Sequence, residues 1–140
     1  MKTGIQGPTK EYWVKWSPKS YRFKEDALVS HAPASPGLYE VVTFPDGQTS
    51  QIVYIGLALD GTIQEKLAGH FKGDNPSITT ELRRVPPVIY FDFLWQSNAQ
   101  SPDDLKDIAW WLTQTNQPAF NAPGSVQHSG RYSDIEVVEK

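Results

Sequence analysis

Two tyrosines and a lysine–histidine pair are the side chains of this sequence whose types and spacing suit acid–base or anion-binding chemistry. Tyr39 and Tyr54 fall in two separate apolar runs, and Lys66 and His70 are four residues apart in a later segment. Residues four apart on a helix share one face, so a helical segment would place Lys66 beside His70. A free tyrosine has a pKa near 10 and acts as a base at neutral pH only with help from a neighbouring group or a metal ion.

A β-hairpin is predicted to position the two tyrosines. Residues 38–44 and 51–56 are rich in β-branched and aromatic side chains, and Pro-Asp-Gly at 45–47 is a turn signal between them. Each tyrosine falls within one of these two strands.

A helix is predicted to carry Lys66 and His70. Thr62 and Glu65 have the spacing of a capping box at its start. Apolar side chains then recur every four residues along 63–71, which indicates one buried helical face. Lys66 and His70 lie beside that face.

The remaining elements complete a small α/β fold. A short helix is expected over 78–84 and a central strand over 88–95. Ser101, followed by proline and two aspartates, predicts the start of a last helix that ends near Asn116. Residues 135–138 are a candidate edge strand. The pattern favours a small antiparallel or mixed sheet flanked by helices.

Length and composition indicate a single cytoplasmic domain of 140 residues without a membrane segment. The organisation expected is an aromatic N-terminal arm over 1–32 that packs on a domain over 33–123, followed by a tail over 124–140. The absence of cysteine excludes disulfides and thiolate metal sites. A net charge of −3 argues mildly against binding dominated by phosphate contacts, although it leaves room for a local basic patch. The candidates for that patch are Lys66, Lys72, Arg83 and Arg84.

The hairpin and the segments after it resemble the GIY-YIG nuclease superfamily. Gly-Leu-Tyr at 37–39 and Tyr-Ile-Gly at 54–56 resemble the two motifs that name the family. The segment 66–71, Lys-Leu-Ala-Gly-His-Phe, resembles its first helix, and Pro118 with Asn121 resembles its closing segment. The resemblance covers roughly 33–121.

The resemblance implies a vestigial nuclease site formed by Tyr39, Tyr54, Lys66, His70 and Asn121. The resemblance implies that, in active members, the tyrosines lie near the scissile phosphate and an arginine binds that phosphate. It also implies that a glutamate on the last helix binds one divalent metal ion. The asparagine supports the site. Such a site neutralises the phosphodiester and helps to deprotonate water.

This chain departs from the family pattern at three positions. Lys66 stands where the family has arginine, which keeps the charge and loses the bidentate geometry. Leu57 replaces a lysine that a subset of members carries. Ala109 stands where the metal-binding glutamate is expected, and an alanine cannot bind a metal ion. By this correspondence Ala109 is predicted to line the tyrosine cleft.

No neighbouring carboxylate is expected to replace the missing glutamate. At about 100° per residue, the three aspartates of the last helix point well away from the face of Ala109. Asp92 on the predicted strand and Glu65 on the first helix are the alternatives, and they would supply a metal ligand only from another direction.

Structural roles are an alternative for each of these residues. Two tyrosines on strands are common in sheet cores, a histidine beside an apolar stripe is often structural, and Asn121 after a proline can fix its own loop.

Three functions remain open from the sequence. The first is a binding module that has lost metal-dependent phosphodiester cleavage and whose partner is nucleic acid, bound weakly and in a salt-sensitive way, another protein or a small ligand. The second is an active or weak endonuclease with a rearranged metal site, which alone would need Mg²⁺ or Mn²⁺. The third is a structural or assembly subunit with a filled cleft. The sequence leaves the oligomeric state open.

Overall fold

The computed structural model describes residues 8–72 and 89–140, which form six strands and three helices. The strands are β1 (Thr9–Trp16), β2 (Tyr21–Arg22), β3 (Gly37–Thr43), β4 (Gln51–Ala58), β5 (Ile89–Ser97) and β6 (Asp134–Glu139). The helices are α1 (Glu25–His31), α2 (Ile63–Lys72) and α3 (Pro102–Asn116). The predicted α/β class, with helices flanking a mixed sheet, is confirmed.

The strands form one sheet in the order β4-β3-β5-β1-β6, and β2 continues along β5 on the side of β1. β1 pairs in parallel with β6, and the other pairings are antiparallel. The segments 1–32, 33–123 and 124–140 therefore all contribute strands to this sheet. Segment 124–140 contributes β6 at one edge of the sheet, and segment 1–32 contributes β1 between β5 and β6.

The hairpin of β3 and β4 forms as its turn residues predict. The Asp46 carboxylate accepts hydrogen bonds from the backbone N–H groups of Gln48 and Thr49, at 2.8 and 2.6 Å. Gly47 has a φ of +77°, a left-handed conformation that glycine adopts without strain. Tyr39 then lies opposite Gly56 in the ladder, so the two motif segments are adjacent in space.

The sheet separates two apolar cores. On one face α1 and α2 pack against the strands, with Leu28, Leu67, Tyr39 and Phe91 among the buried residues. On the other face α3 packs against the strands, and its buried residues are Ile108, Ala109 and Leu112 with Tyr12, Val14 and Leu38 of the sheet. These are called below the α1/α2 face and the α3 face. Successive side chains on a strand alternate between them.

Two of the three helices begin at the residues that the sequence predicts. The Thr62 hydroxyl accepts a hydrogen bond from the N–H of Glu65 at 3.1 Å, and the Glu65 carboxylate accepts one from the N–H of Thr62 at 2.9 Å. Ser101 caps α3 by accepting from the N–H of Asp104. Both signals are local, which is why sequence spacing alone identifies them.

Helix α1 was not predicted and lies within the segment that was expected to form the N-terminal arm. The helix buries Leu28 and has no side-chain cap at Lys24. The Gln64 side chain of α2 donates hydrogen bonds to the carbonyl oxygens of Leu28 and Val29, near the C-terminus of α1. Tertiary contacts of this kind, rather than a periodic sequence pattern, stabilise such a short helix.

The short helix predicted over 78–84 lies outside the described residues. No helix within the described part of the chain combines the length and apolar character that crossing a bilayer requires.

Candidate functional site

Tyr39 lies on the α1/α2 face, where its ring crosses the backbone of Gly56 on the neighbouring strand. A Cβ atom at position 56 would overlap the Tyr39 ring. The glycine of the second motif therefore has a structural reason, because only a residue without a side chain leaves room for the first-motif tyrosine.

Tyr39, Tyr54 and His70 form one cluster of three rings. The Tyr39 hydroxyl oxygen lies 2.8 Å from Nε2 of His70. The Tyr54 ring centroid lies 6.2 Å from that of Tyr39 and 5.2 Å from that of His70, in an edge-on contact with the histidine. The structure thus brings together three of the five predicted site residues.

The centre of this cluster is closed to solvent. Tyr39 is 2% exposed and His70 is 7% exposed, while Tyr54 is half-buried. Tyr54 is therefore the ring of the three through which a bound molecule would make contact. A cleft that reaches the Tyr39 hydroxyl would require displacement of packed side chains.

Burial keeps all three groups in their neutral forms. Burial raises the pKa of Tyr39, and Tyr54 raises it further. Burial also raises the pKa of Tyr54, although a hydrogen bond with Tyr39 opposes this. For His70, burial lowers the pKa and the Lys66 charge lowers it further. At neutral pH the cluster therefore contains two phenols and a neutral imidazole, and neither tyrosine is activated as a base.

Lys66 lies near this cluster, since its charge acts on His70 one helical turn away. Its side chain is exposed. Lys66 and the half-buried Tyr54 are therefore accessible groups at the ring cluster.

Asn121 serves the edge of the sheet rather than the ring cluster. Its side-chain oxygen accepts from the N–H of Ile55 at 2.8 Å, and its amide nitrogen donates to the carbonyl oxygen of Ile55 at 2.9 Å. The N–H of Phe120 also donates to the carbonyl oxygen of Val53. Ile55 and Val53 belong to β4, which lies at the edge of the sheet. Asn121 and Phe120 therefore form hydrogen bonds with backbone groups of this edge strand.

The prediction that Ala109 lines the tyrosine cleft is wrong. Ala109 is fully buried in the core of the α3 face, whereas Tyr39 belongs to the core of the α1/α2 face. A glutamate at position 109 would lie in that apolar core, on the opposite side of the sheet from the tyrosines. A side chain at position 109 therefore cannot contribute to the same site as the ring cluster.

Neither alternative carboxylate reaches the ring cluster. Glu65 forms the cap at the start of α2. Asp92 lies opposite Glu40 in the ladder of β3 and β5, on the face away from Tyr39. The groups that shift the pKa values of the three rings are the rings themselves and Lys66, and no carboxylate is among them in the described residues.

The donor set does not fit a divalent metal. Within residues 8–72 and 89–140, no group of three histidine or acidic side chains has the arrangement needed to bind a metal ion. The residues around Tyr39 and Tyr54 offer phenol, imidazole and ammonium groups, whereas Mg²⁺ and Mn²⁺ prefer carboxylate oxygens.

The pairing of Glu40 with Asp92 is a feature that sequence reasoning missed. Glu40 is 6% exposed and Asp92 is 8% exposed, and one oxygen of each has no hydrogen-bond partner among the described residues. Burial and the nearby Asp92 raise the pKa of Glu40 to about 10, and burial raises the pKa of Asp92 to about 6. The pair therefore retains one proton at neutral pH. The signal available in the sequence was a glutamate inside an otherwise apolar strand.

A second buried network joins α3 to β1 and to the loop before β6. The Arg131 guanidinium donates to Asp104 and Asp107 at 2.8 Å each, and Tyr12 donates to both carboxylates. The N–H and hydroxyl of Ser129 donate to Asp107 at 2.7 and 3.0 Å. The burial of Asp104 and Asp107 and their partners were not foreseen from the sequence.

The basic patch predicted from Lys66, Lys72, Arg83 and Arg84 is described only at Lys66. The side chain of Lys72 and both arginines lie outside the described part of the structure.

Comparison with known proteins finds no relative: no family model, curated protein or solved structure matches this chain. The resemblance to the GIY-YIG superfamily therefore rests on the motif residues themselves.

Proposed function

We propose that this chain is a GIY-YIG-like domain that does not cleave phosphodiesters and that acts as a binding module for nucleic acid or another protein. One observation supports this most directly. The hydroxyl of Tyr39 is buried and lies against His70, with no carboxylate nearby in the described residues to bind a metal ion or to accept a proton. Tyr39 and His70, two of the residues that would support hydrolysis, are thus held neutral in the core.

The accessible chemistry of the site suits weak binding of an anion. Lys66 contributes an exposed positive charge, and Tyr54 contributes a partly exposed aromatic ring with a neutral hydroxyl. A lysine and an aromatic ring are groups that contact phosphate and bases in nucleic-acid complexes. A net charge of −3 for the whole chain keeps such binding weak and dependent on ionic strength.

A structural subunit with a filled cleft is a second candidate, and the burial of the cluster favours it. Tyr39 at 2% exposure and His70 at 7% are packed as core residues. In this interpretation the motif residues are retained because Tyr39 needs Gly56 beneath it and His70 beside it, and the surface around Tyr54 binds nothing.

We expect no cleavage of plasmid DNA, single-stranded DNA or RNA by the purified protein in Mg²⁺ or Mn²⁺. The reason is that residues 8–72 and 89–140 place no carboxylate beside the ring cluster and that neither of its tyrosines is activated as a base. The assay is gel electrophoresis of each substrate over a metal titration, with Tyr54→Phe as the matched variant. Metal-dependent cutting that disappears in Tyr54→Phe would contradict the proposal and would support an endonuclease with a rearranged metal site.

Replacing Lys66 by glutamine is expected to weaken nucleic-acid binding and to lower the slope of log affinity against log salt by about 1, because one phosphate contact is lost. The measurement is fluorescence anisotropy of labelled single-stranded DNA and RNA over a salt series. Lys106→Gln is the control, since Lys106 is a partly exposed lysine of α3, on the other side of the sheet. A complex that survives high salt, or equal losses in both variants, would contradict binding through this surface. No binding even at low salt would favour a protein partner or the structural subunit.

A further inference from the structure

The outer side of β6 carries backbone groups that point away from the sheet. In the described part of the chain, β6 pairs with β1 alone. The N–H of Lys140 donates to the carbonyl oxygen of Val14 at 2.8 Å. Because alternate residues of a strand in a parallel ladder bond to the same neighbour, the backbone groups of Val137 and Glu139 face away from β1. Such N–H and C=O groups are a template for pairing with a further strand.

Charged side chains along this edge are sorted into an acidic end and a basic end. Glu11 of β1 and Glu136 of β6 are adjacent in the ladder, and both are exposed. Lys15 and Lys140, which are also exposed, follow four residues later in the same two segments and share the face of the glutamates. Among the described residues none of these four side chains forms an ion pair.

The two lysines contact neutral rings, which leave their positive charges uncompensated. Lys15 Nζ lies 5.3 Å from the ring centroid of Trp95, and Lys140 Nζ lies 4.7 Å from that of Trp13. Val138 lies opposite Trp13 in the ladder and is 46% exposed. Along β6 the edge therefore presents an acidic end, an exposed valine and a basic end, in that order.

This order is complementary to itself when two copies of β6 run antiparallel. If Val138 faces Val138 of a second copy, Glu136 lies opposite Lys140 of that copy, and Lys140 lies opposite its Glu136. The outward backbone groups of Val137 then bond to those of Glu139 in the other copy. Opposite charges directly across two antiparallel strands are stabilising. The pairing also buries the exposed valines against each other.

Other registers match the charges less well. A pairing centred on Glu136 sets two glutamates opposite each other, which is destabilising. A pairing centred on Val137 sets Glu136 opposite Val138 instead of opposite a lysine. Within one chain Glu11 already lies beside Glu136, and only the register centred on Val138 brings a lysine directly opposite that acidic pair.

We propose that β6 is a self-association surface through which two copies of this chain pair antiparallel about a two-fold axis at Val138, which joins their sheets. Both copies use the same residues, as a two-fold interface requires. One pair of strands buries less surface than stable interfaces, which bury about 1,200–2,000 Å². The dimer is therefore weak and reversible, and at low concentration the chain is a monomer.

A single introduced cysteine tests the position of the axis, because the chain contains no cysteine of its own. Val138→Cys is expected to form a disulfide-linked dimer under mild oxidation, since side chains directly opposite in an antiparallel pair have Cβ atoms about 4.5–5.5 Å apart. Val29→Cys is the control, because Val29 is an apolar residue of α1 that is 70% exposed. Equal crosslinking of the two variants in non-reducing electrophoresis would overturn the proposal.

Charge reversal tests the register in solution. In sedimentation over a concentration series that reaches the millimolar range, Glu136→Lys and Lys140→Glu are each expected to weaken dimerisation about 10-fold, because like charges then meet on both sides of the axis. An equimolar mixture of these two variants is expected to regain association, since each carboxylate again faces an ammonium group. Lys24→Glu changes the net charge equally at an exposed residue before α1 and should leave dimerisation unchanged.

The outcomes that would overturn the proposal are equally definite. A parent chain that stays monomeric at every concentration would reject self-association. A dimer that tolerates both charge reversals, or a mixture of the two variants that associates no better than either alone, would show that β6 is not the surface involved.

Discussion

Replacing Glu40 by glutamine is expected to stabilise the protein at neutral and alkaline pH relative to the parent chain. Burial and the neighbouring Asp92 raise the pKa of Glu40 from its ordinary value of 4.5 to about 10. The folded state therefore holds a proton that the unfolded state releases, so the stability associated with this group is complete below about pH 4.5. It is lost progressively as the pH rises toward 10. The limiting slope is about 1.4 kcal/mol per pH unit.

A glutamine at position 40 would remove this dependence because its amide is neutral at every pH and still offers an N–H donor to Asp92. The charged and polar groups that act on the pair are Glu139, which raises both pKa values, and Ser20, whose hydroxyl lies 3.5 Å from the Asp92 carboxylate. Since Glu139 and Asp92 remain, some alkaline loss of stability should persist, with a smaller slope.

The measurement is urea unfolding between pH 5 and 10 for the parent chain, Glu40→Gln and Glu136→Gln. Glu136 lies exposed on β6 and serves as the matched control, because its replacement removes a charge without affecting the buried pair. Parallel stability curves for the parent and Glu40→Gln across this range would show that Glu40 does not hold a proton in the folded state.

Replacing Asp107 by alanine is expected to destabilise the protein by about 1–3 kcal/mol, because buried hydrogen-bond donors lose a charged acceptor. Asp107 is fully buried and accepts hydrogen bonds from Ser129, Arg131 and Tyr12. The substitution leaves the N–H and hydroxyl of Ser129 without this acceptor, whereas Tyr12 and Arg131 keep Asp104. Domains of this kind are stable by only about 5–15 kcal/mol, so such a loss would be a large part of the total.

Asp103→Ala is the control for this substitution, since Asp103 is an exposed residue of the same helix with a 4.0 Å contact to Lys106. Surface pairs of this type contribute about 0–1 kcal/mol. Equal losses in the two variants, measured as the free energy of unfolding in urea, would show that the buried network contributes nothing beyond helix electrostatics.

The same network determines the response to acid. Burial alone would raise the pKa of Asp104, but hydrogen bonds from the Gln100 N–H, Arg131 and Tyr12 outweigh it and lower the pKa to about 2. The pKa of Asp107 is lowered by its hydrogen bonds in the same way, against the opposing effect of burial. Because the pKa values of Asp104 and Asp107 in the folded state lie below the ordinary value of 3.8, these carboxylates stabilise the folded protein fully above that pH. This stabilisation is lost as the pH falls toward 2. Asp107→Asn should therefore show a shallower loss of stability in acid than the parent chain.

The sequence by itself determined the elements whose signals are local. The Thr62–Glu65 cap, the Ser101 cap and the turn at Asp46 and Gly47 are formed by side chains that bond to backbone groups within three residues of themselves. Such interactions need no other part of the chain, so their spacing is sufficient to predict them. The adjacency of the motif segments followed from the same hairpin.

The position of each side chain relative to the two cores was decided only by the tertiary structure. Only the packing of α3 against one face shows that Ala109 and Tyr39 are divided by the sheet. Glu40 is buried against Asp92 because β5 pairs with β3, which places side by side two residues that are 52 positions apart in the chain. A pattern of apolar and polar residues does not specify which strands will pair.

Pairing between distant parts of the chain also decides the place of β1 in the sheet and the partners of Arg131. β1 is an inner strand because it pairs with β5 and, in parallel, with β6, the two strands furthest from it along the chain. Arg131 meets Asp104 and Asp107 across separations of 27 and 24 residues. Desolvation and charge pairing act through space, so pKa shifts follow from the folded arrangement rather than from residue spacing.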